Sequence, residues 1–432
     1  MIRIIFSSTF ALVLLKLITT LKEMYLASEF GISWELDAFA LGFSFQAIVV
    51  AAYALPLRPC AVKVYFEVLS KTQEKSEAKL KLWFSALEFA AYSCVLSTIL
   101  ALGAKTLILW LKPEVDLEVL KATVLTVQIT AFSIPFQVIS QTLGGVLIAE
   151  KRMFPLHFAP VTTALCIIGL IAFWGGDALM LSIGWLIGCI METMLIMFLV
   201  RPSRLRTGLA DRSVTKSLWM LTYPMMASSL IMAGTTTVDQ AMGFQLDSGS
   251  LSALNYANRL SSVILTILSG SLAYAVLHHL ASIAASGTAQ EIRSSARSIS
   301  LISFLVIVPV ALFLGIFAKE IVGLIYMRGQ FTEMDLNRVV PIFQAYLFQY
   351  PFYILSTVQN QLAVARGQTR LLGVLAILSF LLNVLLNFVF IEKFGVMGIA
   401  IATSVVYATN WFLVMVYFTY YDRSQPTPSS EA

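Results

Sequence analysis

Apolar segments of about 20 residues recur from one end of this sequence to the other, and they constrain the fold more than any other feature. A helix of that length rises about 30 Å, the thickness of the hydrocarbon core of a bilayer. The composition agrees, because 58% of the 432 residues are apolar, 12% are charged and the mean hydropathy is +0.83. A soluble domain carries about twice that charged fraction. The sequence therefore predicts an all-α polytopic membrane protein without a separate soluble domain.

The apolar runs predict twelve transmembrane helices, and the loops between them predict their orientation. The helices are expected at residues 4–27, 37–57, 83–104, 119–148, 155–174, 178–200, 217–243, 251–280, 299–326, 339–364, 371–390 and 396–420. Of the 29 lysines and arginines, 19 fall in the loops and termini of one side and seven in those of the other. By the positive-inside rule both termini are cytoplasmic, so the net charge of +5 reflects topology rather than nucleic-acid binding. The first helix lacks a small-residue cleavage site, so we expect no cleavable signal peptide.

The two halves of the chain share a residue pattern at a constant offset of 216 positions. At this offset Glu23 corresponds to Asp239, and Pro135 corresponds to Pro351. Six spans per half predict two six-helix lobes related by a pseudo-two-fold axis along the membrane normal, with a substrate between them. The predicted parts are an N-terminal lobe, a cytoplasmic basic linker, a C-terminal lobe and a cytoplasmic tail, at 1–200, 201–216, 217–420 and 421–432.

Charged side chains interrupt the first predicted helix at Lys16, Lys22 and Glu23. A charge near the bilayer centre costs roughly 2.5–3.5 kcal/mol, so these groups need partners or a water-filled cavity. Lys16, Thr20 and Glu23 share one helix face because they are spaced i, i+4 and i+7. One interpretation is a Lys16–Glu23 ion pair, with Lys22 extending towards the interface. The other, which we favour, is the cationic wall of a cavity.

A polar stripe also runs along the start of the eighth predicted helix, formed by Asn255, Asn258, Arg259 and Ser262. Arg259 lies about two turns inside the apolar run. It could pair with Asp239 of the preceding helix, or it could bind an anionic ligand. We favour the ligand, because a planar guanidinium suits bidentate capture of phosphate or carboxylate.

Other polar residues inside the predicted spans favour structural roles. Glu88 and Glu192 are expected to be interhelical hydrogen-bond or ion partners rather than proton carriers. Asn383 and Asn387 are typical of residues that join helices in a membrane. Pro135 and Pro351 predict kinks in two equivalent helices and are therefore hinge candidates.

Metal, redox and nucleotide chemistry find little support in the sequence. The four cysteines are scattered without a C-x-x-C spacing and there are three histidines, so we expect neither a metal site nor a disulfide framework. The sequence has no G-x-x-x-x-G-K-[ST], so ATP hydrolysis by this chain is not expected. No cofactor is predicted. An ion gradient, the membrane potential or consumption of the product would have to drive transport, and a coupling site for Na⁺ or H⁺ is not located.

Several segments resemble one known family. LKLITTLKEMYLASEFGISWELDAF (15–39) resembles the opening of the MurJ (MviN) lipid flippases of the multidrug/oligosaccharidyl-lipid/polysaccharide exporter superfamily, which reads S-R-x-x-G-x-x-R-D, then F-G and D-A-F. LSALNYANRL (251–260) and IYMRGQFTEMD (325–335) are similar to its A-L-x-Y-A-x-R-L and L-Y-x-R-G-x-F-x-x-x-D. LNVLLNFVFIEKFGVMGIAIATSV (382–405) is similar to its ending. Two features differ: LGFSFQAIVVAAYALPL (41–57) carries no charge, and twelve spans are predicted where the family often has fourteen.

The resemblance implies a flippase, and not an enzyme, in the bacterial inner membrane. It would move a polyprenyl-diphosphate-linked glycan, peptidoglycan lipid II or a related polysaccharide unit, to the outer leaflet by alternating access. The implied diphosphate contacts are Lys16, Lys22 and Arg259. The implied polar partners in the cavity are Thr20, Glu23, Asp37, Asp239, Asn255 and Asn258.

The implied partners are the lipid-linked glycan, membrane lipid and the enzymes of envelope-glycan synthesis, without nucleic acid. Three alternatives stay open: an ion-coupled multidrug or small-molecule antiporter, an enzyme acting on polyprenyl-linked glycans, and a scaffold. Three intramembrane cations count against an antiporter for cationic drugs. The external loops are short, which counts against an enzyme.

Overall fold

The structure, a computed structural model, describes residues 2–202, 212–286, 289–365 and 368–424. Side chains are described within these ranges except at 2–9, 12, 270–286, 289–290, 292–293, 364–365, 369–370 and 420–424. Residues 203–211 of the predicted linker and 425–432 of the predicted tail lie outside the described residues.

Helices make up nearly all of the described chain, and no strand occurs among the described residues. The α-helices are α1 (Ile2–Phe30), α2 (Trp34–Val49), α3 (Leu57–Thr72), α4 (Lys75–Leu111), α5 (Leu117–Ala131), α6 (Ile134–Ala149), α7 (Met153–Phe158), α8 (Val161–Trp174), α9 (Ala178–Val200), α10 (Arg212–Gln245), α11 (Ser250–Ser286), α12 (Ala289–Ile316), α13 (Ala318–Tyr326), α14 (Glu333–Leu347), α15 (Gln349–Ala365), α16 (Thr369–Phe394) and α17 (Met397–Ser424). A π-helical segment, Val50–Ala54, continues α2 towards α3.

Each of the twelve predicted spans coincides with one helix or with two helices separated by a short break. By length and composition, eight segments within the described ranges could cross a membrane: Trp34–Thr72, Lys75–Leu111, Leu117–Ala149, Met153–Trp174, Ala178–Val200, Ser294–Ile316, Leu371–Phe394 and Met397–Thr419. The all-α, multi-pass membrane fold is thus confirmed. The count of twelve spans and the symmetry of the lobes stay predictions.

The stretch between the second and third predicted spans is helical rather than a loop. It forms α3 and the first turns of α4. The basic residues of this stretch predict a loop, but it also has an amphipathic pattern. Leu57, Ala61, Val64 and Val68 are buried along one face of α3, at helical spacing.

The chain divides into two compact units. The first comprises Met1–Ser252 with Arg328–Phe331, and the second comprises Ala253–Met327 with Thr332–Ala432. Helix α10 packs on α2, α3 and α4 and therefore belongs to the first unit. The lobe boundaries at 1–200 and 217–420 rest on the sequence repeat and stay a prediction.

The core of the first unit lies among α3, α4, α6, α9 and α10, where Tyr65, Phe89, Leu143 and Leu147 are fully or almost fully buried. Close backbone contact between α3 and α6 requires a glycine. A Cβ on Gly145 would lie 2.6 Å from the carbonyl oxygen of Arg58. In the second unit, α12, α15, α16 and α17 enclose a smaller cluster around Val358, Ala363 and Val414.

Both predicted proline kinks prove to be helix breaks. α5 ends at Ala131 and α6 begins at Ile134, so Pro135 lies in the first turn of α6, where its missing N–H needs no helical partner. α14 likewise ends at Leu347 and α15 begins at Gln349, which places Pro351 in a first turn. A hinge role for these two prolines stays a prediction.

Candidate functional site

The charged face of α1 is the first part of the candidate site. Lys22 Nζ lies 2.9 Å from Glu23 Oε1, and the two side chains are only 13% and 16% exposed. Lys16 is exposed and makes no hydrogen bond or ion pair through its ammonium within the described part of the chain. Thr20 donates its hydroxyl to the carbonyl oxygen of Lys16 at 2.8 Å, which attaches it to its own helix.

Glu23 is therefore paired with Lys22, and the Lys16–Glu23 pair considered from the sequence is not formed. Two full turns separate Lys16 from Glu23, about 10.5 Å along the axis, whereas the long Lys22 side chain folds onto its neighbour. The exposed Lys16 ammonium and the Lys22–Glu23 ion pair differ in how readily each can bind an anion. Lys16 can bind an incoming anion at once, whereas Lys22 must first share or leave Glu23.

Asp37, in the first turn of α2, is buried with 5% exposure. Its two carboxylate oxygens accept hydrogen bonds from the N–H of Gly249 and the N–H of Ser252, each at 2.6 Å. The Ser252 hydroxyl donates to the same carboxylate. Gly249 precedes the first residue of α11, so Asp37 caps the N-terminus of that helix from another helix, with an anion at its positive end. The sequence predicted Asp37 only as a polar partner in a cavity.

Lys112, at the C-terminal end of α4, holds the other side of the same connection. Its ammonium donates to the carbonyl oxygens of Phe244 at 3.1 Å and Leu246 at 3.0 Å, and it lies 5.5 Å from the centre of the Phe244 ring. α10 ends at Gln245, so the ammonium satisfies carbonyls at the negative end of that helix. Nothing in the residue spacing predicted this role, because the contact spans 132 residues.

A cavity of about 910 Å³ opens beside these two caps. Both Asp37 and Lys112 line it, together with Trp34, residues 114–119 and residues 244–248. Four of the lining side chains are carboxylates at exposed positions: Glu114, Asp116, Glu118 and Asp247. The part of the chain that the structure describes holds no cluster of residues suited to a metal ion.

Asp239 lies half-buried on α10, five residues before Phe244. Lys16, Thr20, Lys22, Glu23, Asp37 and Asp239 therefore all belong to the first unit. Within it, the structure brings Lys22 and Glu23 into contact.

The polar stripe predicted on α11 lies in the second unit. Asn255 and Asn258 are half-buried and Arg259 is exposed. The opposite side of the helix is held in place, because Tyr350 donates its hydroxyl to the carbonyl oxygen of Ser261 at 3.1 Å and Tyr326 donates to that of Tyr256 at 3.2 Å. These bonds hold α11 against α13 and α15 of the second unit.

The two acidic residues expected to join helices do so. Glu192 accepts a hydrogen bond from Ser140 at 2.7 Å, which links α9 to α6. Glu88 accepts from Thr215 at 2.9 Å, which links α4 to α10, and from Tyr92 of its own helix at 2.8 Å. Asn383 and Asn387 are fully buried and bond to each other at 3.3 Å along α16.

The R-G-x-F segment singled out in the sequence packs against the end of α1. Gly329 has a φ of +58°, and a Cβ there would lie 2.2 Å from the carbonyl oxygen of Ser28. The next residue, Gln330, donates its N–H to that same oxygen at 2.8 Å. The glycine is therefore required both by the left-handed backbone and by the close approach to α1.

Comparisons with known proteins agree with this architecture. The probable lipid II flippase MurJ of Rickettsia prowazekii (strain Madrid E) is 24% identical over 413 residues, covering 92% of this chain and 80% of its own length. A solved lipid II flippase MurJ in an inward closed conformation superposes with a TM-score of 0.81 at 20% identity, covering 97% of this chain and 88% of that one. An inward-facing multidrug resistance MATE transporter of the MOP superfamily superposes with a TM-score of 0.74 at 13% identity, covering 95% and 96%.

The two structural likenesses show the fold, and the family follows from the sequence itself. Residues 26–430 match the family described as lipid II flippase MurJ. This range includes α2, α4, α10, α11 and the R-G-x-F segment described above, and it begins after Lys16, Thr20, Lys22 and Glu23 of α1. The protein belongs to the MurJ family.

Proposed function

We propose that this protein is a flippase for a polyprenyl-diphosphate-linked glycan, with lipid II as the first candidate, moving it from the inner to the outer leaflet of a bacterial inner membrane. The family match over residues 26–430 is the observation that carries this proposal. Both termini would be cytoplasmic, in line with the distribution of lysine and arginine. The protein would perform no covalent chemistry.

The headgroup chemistry explains why cations are needed on membrane helices. A diphosphate carries about two negative charges and cannot enter hydrocarbon without donors that replace its water. Lys16 supplies an exposed ammonium on α1, and Lys22 supplies a second one that is compensated by Glu23 until an anion competes for it. Arg259 on α11 supplies an exposed guanidinium suited to bidentate phosphate contacts. Asp239, Asn255 and Asn258 would complete the polar surroundings.

Energy for the cycle would come from outside the chain. An inside-negative potential of 100 mV contributes about 2.3 kcal/mol for each negative charge exported. A coupling Na⁺ or H⁺ is compatible with this scheme, and its site is not assigned. Enzymes that make or consume the glycan are the expected functional partners.

Depletion of the gene, followed by analysis of the lipid-linked sugars, tests this proposal. Accumulation of the undecaprenyl-diphosphate-linked peptidoglycan precursor together with lysis would support lipid II as the substrate. Intact walls with a different accumulated polyprenyl-linked oligosaccharide would assign another envelope glycan. If no lipid-linked sugar accumulates, the flippase proposal fails.

A multidrug or small-molecule antiporter is the second candidate, because the MATE transporter shares the fold at a TM-score of 0.74. Such a protein would protect cells from cationic compounds, and its loss would leave lipid-linked sugars unchanged. Drug-susceptibility profiles of the depleted strain separate the two candidates. The exposed cations on α1 and α11 favour an anionic substrate.

A further inference from the structure

Two side chains of opposite charge, Asp37 and Lys112, hold the connection between α10 and α11. The proposed function gives Lys112 no role. Within the described part of the chain, the Lys112 ammonium donates hydrogen bonds to the backbone carbonyl oxygens of Phe244 and Leu246. Such bonds are charge-assisted on one side only. The acceptor carbonyls are neutral, so these bonds leave the charge of the ammonium uncompensated.

Side chains of opposite charge to this ammonium lie along the wall of the same cavity. The segment after Lys112 carries Glu114, Asp116 and Glu118, and none of these carboxylates makes a hydrogen bond or ion pair within the described ranges. All three side chains are exposed, so their carboxylates are free to move. When the end of α10 leaves Lys112, the ammonium therefore need not be left without a partner.

We propose that Lys112 is a positioning residue that acts as a latch, exchanging between the carbonyl oxygens at the end of α10 and the carboxylates at 114–118. In the latched state it holds α10 on α4. In the released state the ammonium pairs with Glu114, Asp116 or Glu118, and the end of α10 is no longer bonded to α4. This inference rests on the proposed function in one respect: alternating access requires the outer ends of helices to open, and this end of α4 is predicted to face outside.

Distance measurements between spin labels on α4 and α10 test the latch. The labels would be attached at Lys105→Cys and Gln245→Cys, both exposed, in a background in which the four native cysteines are replaced by serine or alanine. The protein is reconstituted in lipid nanodiscs without any lipid-linked glycan. The population with the longer distance is then compared among variants.

Lys112→Met should raise the longer-distance population about tenfold relative to the latched one, and Lys112→Arg should restore the original distribution. The triple variant Glu114→Gln, Asp116→Asn and Glu118→Gln should shift the distribution in the opposite direction. This opposite sign is the readout that a purely structural lysine would not produce. Lys121→Met, at an exposed lysine nearby that makes no bond within the described part of the chain, is the matched control.

An unchanged distribution in Lys112→Met, or a triple variant that shifts it in the same direction as Lys112→Met, would overturn the latch. The triple variant keeps Lys112 in place, so the test stands even if Lys112→Met does not assemble. Because no glycan is present, the result is independent of the substrate. A failure of lipid-linked sugars to accumulate on depletion would overturn the proposed function and leave these distances unaffected.

Discussion

The carboxylate of Asp37 accepts hydrogen bonds from both the backbone N–H and the hydroxyl of Ser252, a residue 215 positions further along the chain. A third bond, from the N–H of Gly249, completes the cap. In most helices a local side chain satisfies these first N–H groups. Here a residue of α2 does so, which ties the start of α11 to the first unit.

Asp37→Asn should therefore destabilise the protein. The amide keeps the shape but loses the charge, and its NH₂ group cannot accept from the N–H groups that now face the carboxylate. Hydrogen bonds to charged groups contribute about 1.5–3 kcal/mol each, so we expect a clear fall in the unfolding temperature in detergent and a loss of transport.

Glu35→Gln is the matched control for Asp37. Glu35 lies in the same first turn of α2, and its side chain makes no hydrogen bond or ion pair in the described part of the chain. The change should alter the free energy of unfolding by no more than about 0.5 kcal/mol. Equal unfolding temperatures for the two variants would contradict the capping role.

Gly329→Ala should disrupt the contact between the R-G-x-F segment and α1. The alanine methyl group would have to occupy a position 2.2 Å from the carbonyl oxygen of Ser28, on a backbone with a φ of +58°. Left-handed backbone at a non-glycine residue costs about 1–3 kcal/mol before the collision is counted. Thermal unfolding followed by tryptophan fluorescence measures the loss.

Gly103→Ala should instead raise the free energy of unfolding, in contrast to Gly329→Ala. Gly103 lies within α4, and nothing lies within 4 Å of an added Cβ. Replacing glycine by alanine inside a helix contributes about 0.5–1 kcal/mol of stability. If both glycine variants lowered the unfolding temperature alike, the special role of Gly329 would be refuted.

The fold class could be predicted because the length of an apolar run is set by the thickness of the bilayer. Helices appeared wherever that length was reached. The roles of Asp37 and Lys112 could not be predicted, because each depends on a helix end brought close by the tertiary fold. The Lys22–Glu23 pair shows a subtler limit. Face-sharing at i and i+7 suggested a Lys16–Glu23 pair as the less favoured of two interpretations, whereas the flexible lysine next to Glu23 forms the ion pair.

Lys16 and Lys22 should respond differently to removal of their charge. Lys16→Met should leave stability nearly unchanged, because the ammonium is exposed and without an ion pair in the described chain, and it should reduce transport. Lys22→Met removes the cation 2.9 Å from a Glu23 carboxylate that is only 16% exposed, so it should lower stability by about 1–3 kcal/mol as well as transport. Unfolding curves and a complementation assay, run on both variants, separate binding from folding. Equal stability losses would contradict the pairing described here.

Arg259→Ala should abolish transport while leaving the protein in the membrane. Its replacement by alanine removes the exposed guanidinium, which is the bidentate donor proposed for the diphosphate. Arg259→Lys should restore only part of the activity, because an ammonium keeps the charge but cannot present two parallel N–H groups to one phosphate. Complementation of a flippase-depleted strain, with immunoblots for membrane abundance, measures both effects. Near-normal growth with Arg259→Ala at normal abundance would rule out the anion-binding role. Equal rescue by lysine and arginine would show that the substrate requires only the positive charge and not the bidentate geometry.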